Sequence, residues 1–185
     1  MIRETVVTTS DAEGRVHIAP LGLIEDGGGW IVAPFRPSTT LDNLLAVPHA
    51  VASHCDDVRI IAGCLTGRRD WPLVPTEGPV PRLAAAVAHL ELSVRAHDDD
   101  PVRPRFRMRV DRAVSHEPVA GYNRAQAAVI EAAILASRLS MLPREKVEAE
   151  IAYLSIAIEK TAGPREAEAW GWLMERIGRH YSGAA

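Results

Sequence analysis

The chain has 185 residues, of which 47% are hydrophobic and 24% charged, and its formal net charge is −3. These values are ordinary for a globular protein, and a chain of this length buries roughly 70% of its unfolded surface, so we expect a hydrophobic core. The small net charge and the 5% aromatic content do not favour a nucleic-acid partner.

The first residues, Met1–Thr5, contain no apolar stretch flanked by basic side chains. No later segment is long and uncharged enough to cross a bilayer. We therefore expect a cytoplasmic protein with no membrane partner. In that reducing compartment Cys55 and Cys64 are predicted to be thiols.

Short strands separated by turns make up the first half of the chain, a pattern typical of a β-barrel or sandwich. Strands are predicted over residues 5–9, 16–19, 30–33 and 50–54. A short helix follows the third strand over residues 41–47, with Thr39 as its N-cap. The apolar run 60–62 is too brief to assign, and the proline-rich stretch 71–82 predicts a long loop.

The clearest hairpin joins an alternating strand over residues 90–97 to a second over 105–110. Its turn predicts that Glu91 and Arg109 face each other as a cross-strand ion pair. Arginines recur along the second strand and beyond it, at Arg103, Arg105, Arg107, Arg109 and Arg112. This positive stripe is either a solvated face balanced by Glu91 and its neighbours or a surface for a nicotinamide phosphate or a nucleic acid.

From Tyr122 onward the hydrophobic period becomes helical. Asn123 is predicted to cap a helix that ends near Pro143, and two further helices carry apolar residues from 147 to 158 and from 170 to 177. We therefore predict a mainly β fold with α: a β-barrel domain over residues 1–118 and an antiparallel helical extension over residues 119–185, packed on the barrel.

Three charged side chains, Arg124, Glu131 and Arg138, recur at seven residues and share one side of the first of these helices. Glu131 lies among apolar neighbours in the sequence, which suggests a half-buried charge that needs a partner. The three form either a structural network between helix and barrel or between subunits, or a face in which Arg124 or Arg138 approaches a bound ligand.

Seven histidines lack the paired spacing of a metal site, and the densest cluster, His54–Asp57, alternates across a strand. We expect no metal. Neither a nucleophile elbow nor a glycine-rich phosphate loop is present, so the sequence identifies no catalytic residue.

The segment Arg36–Asn43 is the best chemical candidate. Three consecutive hydroxyl residues, Ser38, Thr39 and Thr40, precede a helix, and a guanidinium lies two residues upstream. Backbone N–H groups, hydroxyl donors and positive charge at one helix start suit a phosphate. The alternative is a capped helix in which Arg36 forms a surface ion pair, and Asp42 in the first turn favours that alternative.

The chain resembles domain-of-unknown-function family 447, which is similar to the FMN-binding split barrels and adds a helical C-terminal region. The matching residues are Thr8–Thr9, Gly14–Gly22, Phe35–Leu44, Asp56–Asp57, Asn123–Ala125, Ala128–Ala132 and Arg138–Leu139. The resemblance implies FMN as the cofactor and a homodimer with the flavin at or near the subunit interface, where Asn123 or Arg124 of one subunit would approach it.

Site residues carry over from the resemblance in two groups. Ser38, Thr39, Thr40 and Asn43 match the segment that holds the flavin phosphate and ribityl chain, with Arg36 as a supporting charge. The second group matches the strand edge along the isoalloxazine ring and consists of His17, Ile18, Ala19 and Pro20, although His17 stands where the family has a smaller polar residue.

The resulting hypothesis is an FMN-binding oxidoreductase of the flavin-reductase type, with a nicotinamide or another small molecule as electron donor. One alternative is a non-catalytic module that binds FMN or another phosphorylated cofactor, such as a deazaflavin or a pterin. The other is a structural dimerising protein whose helices form an interface.

Overall fold

The computed structural model describes residues 1–118 and 120–183. The chain divides into two compact units. One comprises residues 1–55 and 71–119, and the other comprises residues 56–70 and 120–185. Residues 56–70 therefore pack with the helices of the second half of the chain, although they lie in the first half of the sequence. The single domain boundary predicted near residue 118 does not account for this segment.

Eight strands form in the first unit: β1 (Ile2–Ser10), β2 (Val16–Asp26), β3 (Gly29–Val32), β4 (His49–Cys55), β5 (Leu73–Val74), β6 (Arg82–Leu83), β7 (Ala86–Asp98) and β8 (Arg105–Ser115). Six of them close into an antiparallel barrel in the order β1-β2-β3-β8-β7-β4, and β4 pairs with β1 to complete it. The predicted β-barrel followed by a helical region is thus confirmed.

The barrel core is apolar and contains residues from the strands and from one helix. Val7, Leu23, Val32 and Phe106 point into it, and α1 (Thr39–Ala46) adds Leu41 and Leu44. Because Leu41 and Leu44 are three residues apart, they lie on one face of α1 and are buried together. This burial fixes the start of the helix against β1 and β2, which it contacts.

The sequence predicted a long loop over the proline-rich stretch 71–82, but this stretch also contains short strands. β5 pairs with β6 in a separate two-stranded sheet, with Leu73 opposite Leu83 and Val74 opposite Arg82. Four prolines in this stretch remove backbone donors, which limits each strand to two residues. The residues between the two strands form a loop.

The predicted ion pair between Glu91 and Arg109 is wrong. Irregularities between Glu91 and Leu92 and between Val94 and Ala96 shift the β7–β8 register, so that Arg112 lies opposite Glu91 and Ser93 opposite Arg109. The Arg109 guanidinium instead contacts Asp111 on its own strand.

The second unit contains four helices among its described residues: α2 (Arg59–Leu65), α3 (Arg124–Ala136), α4 (Arg144–Thr161) and α5 (Pro164–Ser182). Asn123 caps α3 as predicted, accepting a hydrogen bond from the Ala125 N–H at 2.7 Å. The helix ends at Ala136 rather than near Pro143. Its buried face is rich in alanine, which lets α2, α4 and α5 approach it closely around Val129, Val147 and Leu173.

No helix in the described ranges is both long and apolar enough to span a bilayer.

Candidate functional site

Ser38 starts the helix of the candidate phosphate segment. Its backbone is extended, with φ −161° and ψ 148°, and its Oγ accepts a hydrogen bond from the Leu41 N–H at 3.3 Å. These are the backbone and the contact of an N-cap. The predicted cap, Thr39, is already the first residue of α1 and cannot have the extended backbone that a cap needs.

Two other N–H groups at this helix start remain available. The Asp42 N–H donates to the Ser38 carbonyl at 3.1 Å, as the first intrahelical bond. The first backbone N–H groups of a helix have no intrahelical acceptor. Within residues 1–118 and 120–183 the Thr39 and Thr40 N–H groups have no protein acceptor. Two hydrogen-bond donors at the positive end of the helix are therefore available to a ligand.

The hydroxyl residues of the segment differ in exposure. Thr39 is exposed, Ser38 is half-buried, and the Thr40 side chain is buried with α1. Thr39 is therefore the residue that presents both a backbone N–H and a hydroxyl to an incoming ligand. Ser38 and Thr40 contribute first to the stability of the helix start.

Arg36 lies on the exposed surface beside the helix start. Its guanidinium forms an ion pair with Asp99 in the turn between β7 and β8, and its backbone N–H donates to the Val102 carbonyl at 3.0 Å. The same turn provides Arg103, whose Nε donates to the Ala33 carbonyl at 2.8 Å. Contacts with the β7–β8 turn thus hold the backbone of the segment before α1 in place. A phosphate bound at the start of α1 would interact with an Arg36 guanidinium that is already paired with Asp99.

Asn43 is buried and holds α1 to the barrel. Its side-chain N–H donates to the Thr9 Oγ at 3.0 Å, near the end of β1. Thr9 is also the residue directly opposite His17 in the β1–β2 pairing. Thr9 therefore joins the two predicted groups of site residues, because its backbone lies beside one and its hydroxyl binds the other.

The second group occupies the start of β2. His17, Ile18, Ala19 and Pro20 lie opposite Thr9, Thr8, Val7 and Val6. Ile18 is buried in the barrel, whereas His17, Ala19 and Pro20 are half-buried. The strand therefore offers a partly accessible apolar edge next to the helix start.

Thr9 and Asp99 are the two residues of this site that the sequence did not single out for these contacts. Thr9 matched the family pattern as part of Thr8–Thr9, but its contact with Asn43 joins residues 34 positions apart. No spacing rule connects such a pair. Asp99 lies in a run of three aspartates, and its choice of Arg36 depends on how the β7–β8 turn folds back.

A polar cluster with two buried members, His89 and Glu91, lies elsewhere in the barrel unit. The Glu91 carboxylate accepts the Gly78 N–H at 2.9 Å and lies 3.5 Å from the His89 Nε2, and the His89 Nδ1 is 2.9 Å from the His116 Nε2. Partial desolvation, followed by the charge of Arg82, lowers the pKa of His116. Glu91 thus holds the loop at Gly78, which is a structural role.

The arginine stripe on β8 is exposed and balanced by carboxylates. Arg107 lies 3.8 Å from Asp26 and 3.4 Å from Asp98, and Arg112 pairs with Glu77. These partners differ from Glu91, the one expected from the sequence. The stripe is thus exposed and partly ion-paired, as the first of the two interpretations predicts, and the second, a surface for a nicotinamide phosphate or a nucleic acid, stays a prediction.

Arg124 and Glu131 on α3 and Arg138 in the turn that follows it are all exposed, so Glu131 is not the half-buried charge that the sequence suggested. In the part of the chain that the structure describes, none of them forms an ion pair. Their role toward a ligand or a second subunit stays a prediction.

Among the described residues, no three His, Cys, Asp or Glu side chains are placed so that they could hold a metal ion together.

The closed six-stranded barrel and the appended helices define the class of fold, that of the FMN-binding split-barrel proteins. The chain belongs to the DUF447 family. The family's N-terminal domain, described as "Protein of unknown function (DUF447) N-terminal domain", matches residues 3–117. Its second domain, "Protein of unknown function (DUF447)", matches residues 123–175. The resemblance seen in the sequence is thereby confirmed.

Solved structures share the fold over different extents. An FMN-bound DUF447 protein from Methanosarcina mazei is 20% identical and aligns over 95% of this chain and 94% of its own, with a TM-score of 0.81. An FMN-binding protein from Thermus thermophilus, solved with 1-cyclohex-2-enone, is 18% identical over 60% of this chain and 69% of its own, with a TM-score of 0.53. Flavoredoxin from Methanosarcina acetivorans is 13% identical over 63% and 69%, with a TM-score of 0.53.

At these identities the likeness is one of fold. The full-length match extends over both barrel and helices, whereas the other two cover less than two thirds of this chain. Curated proteins gave no match.

Proposed function

We propose that this chain is an FMN-binding flavoprotein and an oxidoreductase of the flavin-reductase type. The observation that carries the proposal is the contact of Thr9 with both predicted site segments: its hydroxyl accepts from Asn43, and its backbone lies opposite His17. The helix start and the partly accessible strand edge are thus joined through Thr9 on one barrel, which supports the binding of a ligand that has both a phosphate and a flat ring.

The helix start suits the phosphate chemically. The Thr39 and Thr40 N–H groups and the Thr39 hydroxyl supply donors, and the positive end of α1 and Arg36 supply charge. Asp42 in the first turn is exposed and opposes this charge in part. Asn43 would act by positioning, since its side chain holds α1 against Thr9.

The strand edge would hold the ring. FMN, when bound, supplies hydride or electron transfer between a donor and an acceptor. The His17–Pro20 backbone would meet the polar atoms of the ring, and the half-buried Ala19 and Pro20 side chains would exclude water from one face. In this arrangement no protein side chain is required as an acid or base.

A homodimer and a nicotinamide electron donor belong to the same proposal. Large apolar side chains on α1 and in the segments beside it are exposed, with Phe35 59%, Leu45 54% and Val102 62% accessible. A second copy of the chain would cover such side chains and enclose the ring. Cytoplasmic location likewise stays a prediction from the sequence.

The sharpest test replaces Thr39 with proline. Proline suits the first position of a helix, and Ser38 already has the extended backbone that a residue before proline prefers. Thr39→Pro therefore removes one N–H and one hydroxyl while the fold is retained, and we expect it to weaken FMN binding by about 10-fold or more. Thr39→Ala keeps the N–H and should lose less.

Fluorescence titration of FMN measures both variants, with circular dichroism as the check on folding. Equal FMN affinity in the wild type and Thr39→Pro would contradict the placement of the phosphate. If the protein instead retains a deazaflavin or a pterin and no FMN, the alternative of a binding module for another cofactor holds.

A further inference from the structure

A shallow groove of about 240 Å³ lies between α3 and α4, both of which belong to the second unit. Its volume is below the usual range of small-molecule sites, about 300–1,000 Å³, so the groove suits a large side chain better than a cofactor. Six of its eight lining residues are aliphatic or aromatic: Ala127, Ala128, Tyr153, Leu154, Ile156 and Ala157.

Helix α4 leaves much of its apolar surface uncovered. Of its 18 residues, all within the described chain, Val147 is the one that is fully buried. Tyr153 is 75% exposed and Ile156 is 44% exposed, and both border the groove. Large exposed apolar side chains next to an apolar groove are typical of a surface that a protein partner covers.

The two charged residues of the groove, Arg124 and Glu131, lie on α3 and are exposed. Neither forms an ion pair with another residue of the described chain. Side chains three and four positions apart on a helix are within reach of each other, and on α3 those positions hold only alanine, isoleucine and leucine for both charges. The two opposite charges therefore stay unpaired, about 10 Å apart along the helix axis.

This charge pattern is complementary to itself. In a two-fold pairing, residue i of one copy contacts residue j of the other, and the reverse. When two α3 helices run antiparallel with the two-fold axis between Ala127 and Ala128, Arg124 of each copy faces Glu131 of the other. A parallel pairing would instead place like charges opposite each other, which is repulsive. The small alanine side chains at the centre let the two helices approach closely.

The face formed by α3 and α4 is large enough for a weak but specific contact. α3 has 13 residues and α4 has 18, so the helices are about 20 Å and about 27 Å long, and together they are about 20 Å wide. Two such faces bury roughly 1,000 Å² in total, at the lower end for a specific interface. Tyrosine and arginine, which often contribute most of the binding energy of an interface, are both exposed on it.

We propose that the α3–α4 face is a self-association surface, which binds a second copy of this chain in antiparallel orientation. Arg124 and Glu131 of the two copies form two ion pairs, and Tyr153 and Ile156 of each copy pack against the groove of the other. The contact depends neither on FMN nor on the apolar side chains beside α1.

Charge reversal tests both the surface and the orientation. Sedimentation equilibrium at about 0.15 M salt should show association of the wild type through this face with a dissociation constant of about 100 µM or tighter. Arg124→Glu should weaken this association by about 10-fold or more, because each substitution acts twice in a symmetric contact. Glu131→Arg should have the same effect. In each case the mass of the assembly should fall to half, with circular dichroism as the check on folding.

Mixing the two variants is the sharper experiment. Arg124→Glu leaves only acidic side chains at the two positions, and Glu131→Arg leaves only basic ones, so the two variants should pair with each other although neither pairs with itself. Their equimolar mixture should regain the wild-type mass, and so should the chain that carries both substitutions. Arg138→Glu is the matched control, since it makes the same change in net charge beyond the end of α3 and should change affinity less than about twofold.

Three results would overturn the proposal: a wild type that does not associate through this face at about 200 µM, equal weakening by Arg124→Glu and Arg138→Glu, or a mixture that keeps the mass of its separate components. The first result would leave the face to a different protein or to none. The halving of the mass should be the same with and without FMN, so a failure of the FMN proposal would not affect this test.

Discussion

Arg36 carries the positive charge beside the proposed phosphate site, and Asp99 neutralises part of it. Both side chains are exposed, with 42% and 69% accessible, so their pair contributes little to stability. A phosphate bound at the start of α1 would compete with Asp99 for the same guanidinium. In the proposed site, the affinity for FMN would therefore depend on a residue that touches no part of the ligand.

Replacing Asp99 with asparagine should tighten FMN binding by about two- to fivefold, since the loss of an exposed pair frees the guanidinium. Arg36→Gln should weaken binding by a similar factor. Fluorescence titration measures both changes. Asp98→Asn is the matched control, because Asp98 is the neighbouring residue, at the end of β7, and pairs with Arg107 instead. Equal effects of Asp98→Asn and Asp99→Asn would show that only net charge matters.

For single residues, the sequence predicted correctly where the helix start lies, but it did not predict the contact that each side chain makes. The run Ser38–Thr40 before an apolar helix indicated a helix start, and that helix start exists. The cap moved by one residue because the backbone turns at Ser38, a detail of φ and ψ that spacing does not show. The predicted contact of Asn43 with the ligand stays a prediction, and the structure adds a role that the sequence did not show, since its side-chain N–H donates to the Thr9 Oγ.

Helix α2 begins at a buried carboxylate. Asp57 is buried, accepts the Arg59 N–H at 3.1 Å and binds the Arg59 guanidinium at 2.7 Å. Arg59 also reaches Glu168 on α5 at 3.0 Å. Burial of Asp57 alone would raise its pKa, but the hydrogen bonds and charge of Arg59, with a smaller contribution from Arg165, lower it.

This lowered pKa predicts a pH dependence of stability. The unfolded pKa of aspartate is about 3.9, so the stabilisation is fully present above that pH and is lost as the pH falls through the lower folded pKa. Asp57→Asn should destabilise the protein by about 1.5–3 kcal/mol at neutral pH, and the difference from the wild type should shrink below about pH 4. Thermal unfolding followed by circular dichroism measures it.

Asp56→Asn is the control, since Asp56 is the exposed neighbour. A difference between the wild type and Asp57→Asn that stayed constant from neutral to acid pH would contradict the assignment of the charge.

Among the elements, strands with strict alternation and capped helices were predictable, and short elements were not. The hairpin of β7 and β8 and the Asn123 cap follow from local patterns. The register of the β7–β8 pairing could not be predicted from those patterns, because the irregularities in this pairing depend on how the barrel closes. The run Ile60–Ala62 was undecided, and it forms a helix because α3 and α5 bury its apolar face.

The whole molecule consists of two compact units with separate cores, and the chain order does not separate them. Residues 56–70 lie within the barrel half of the sequence but pack with helices from the other half. A boundary predicted from periodicity alone could not show this, because α2 is one short helix among strands. Val58 and Ala62 are buried there against residues more than 60 positions later.

A chain truncated after residue 118 should therefore aggregate. It keeps α2 but loses α3 and α5, which exposes the apolar face of α2. Size-exclusion chromatography and binding of a hydrophobic dye should detect this. Adding Ile61→Lys and Leu65→Lys to the truncated chain should restore solubility, since both side chains pack on the helical core. A monomeric truncated chain that binds no dye would contradict the division into these units.

The measurement that tests the central claim most directly is the visible absorbance of the purified full chain after incubation with excess FMN and removal of the unbound fraction. We expect a flavin band that stays with the protein and is largely lost in Thr39→Pro. A folded protein that retains no FMN would contradict the proposal that this barrel is a flavin site.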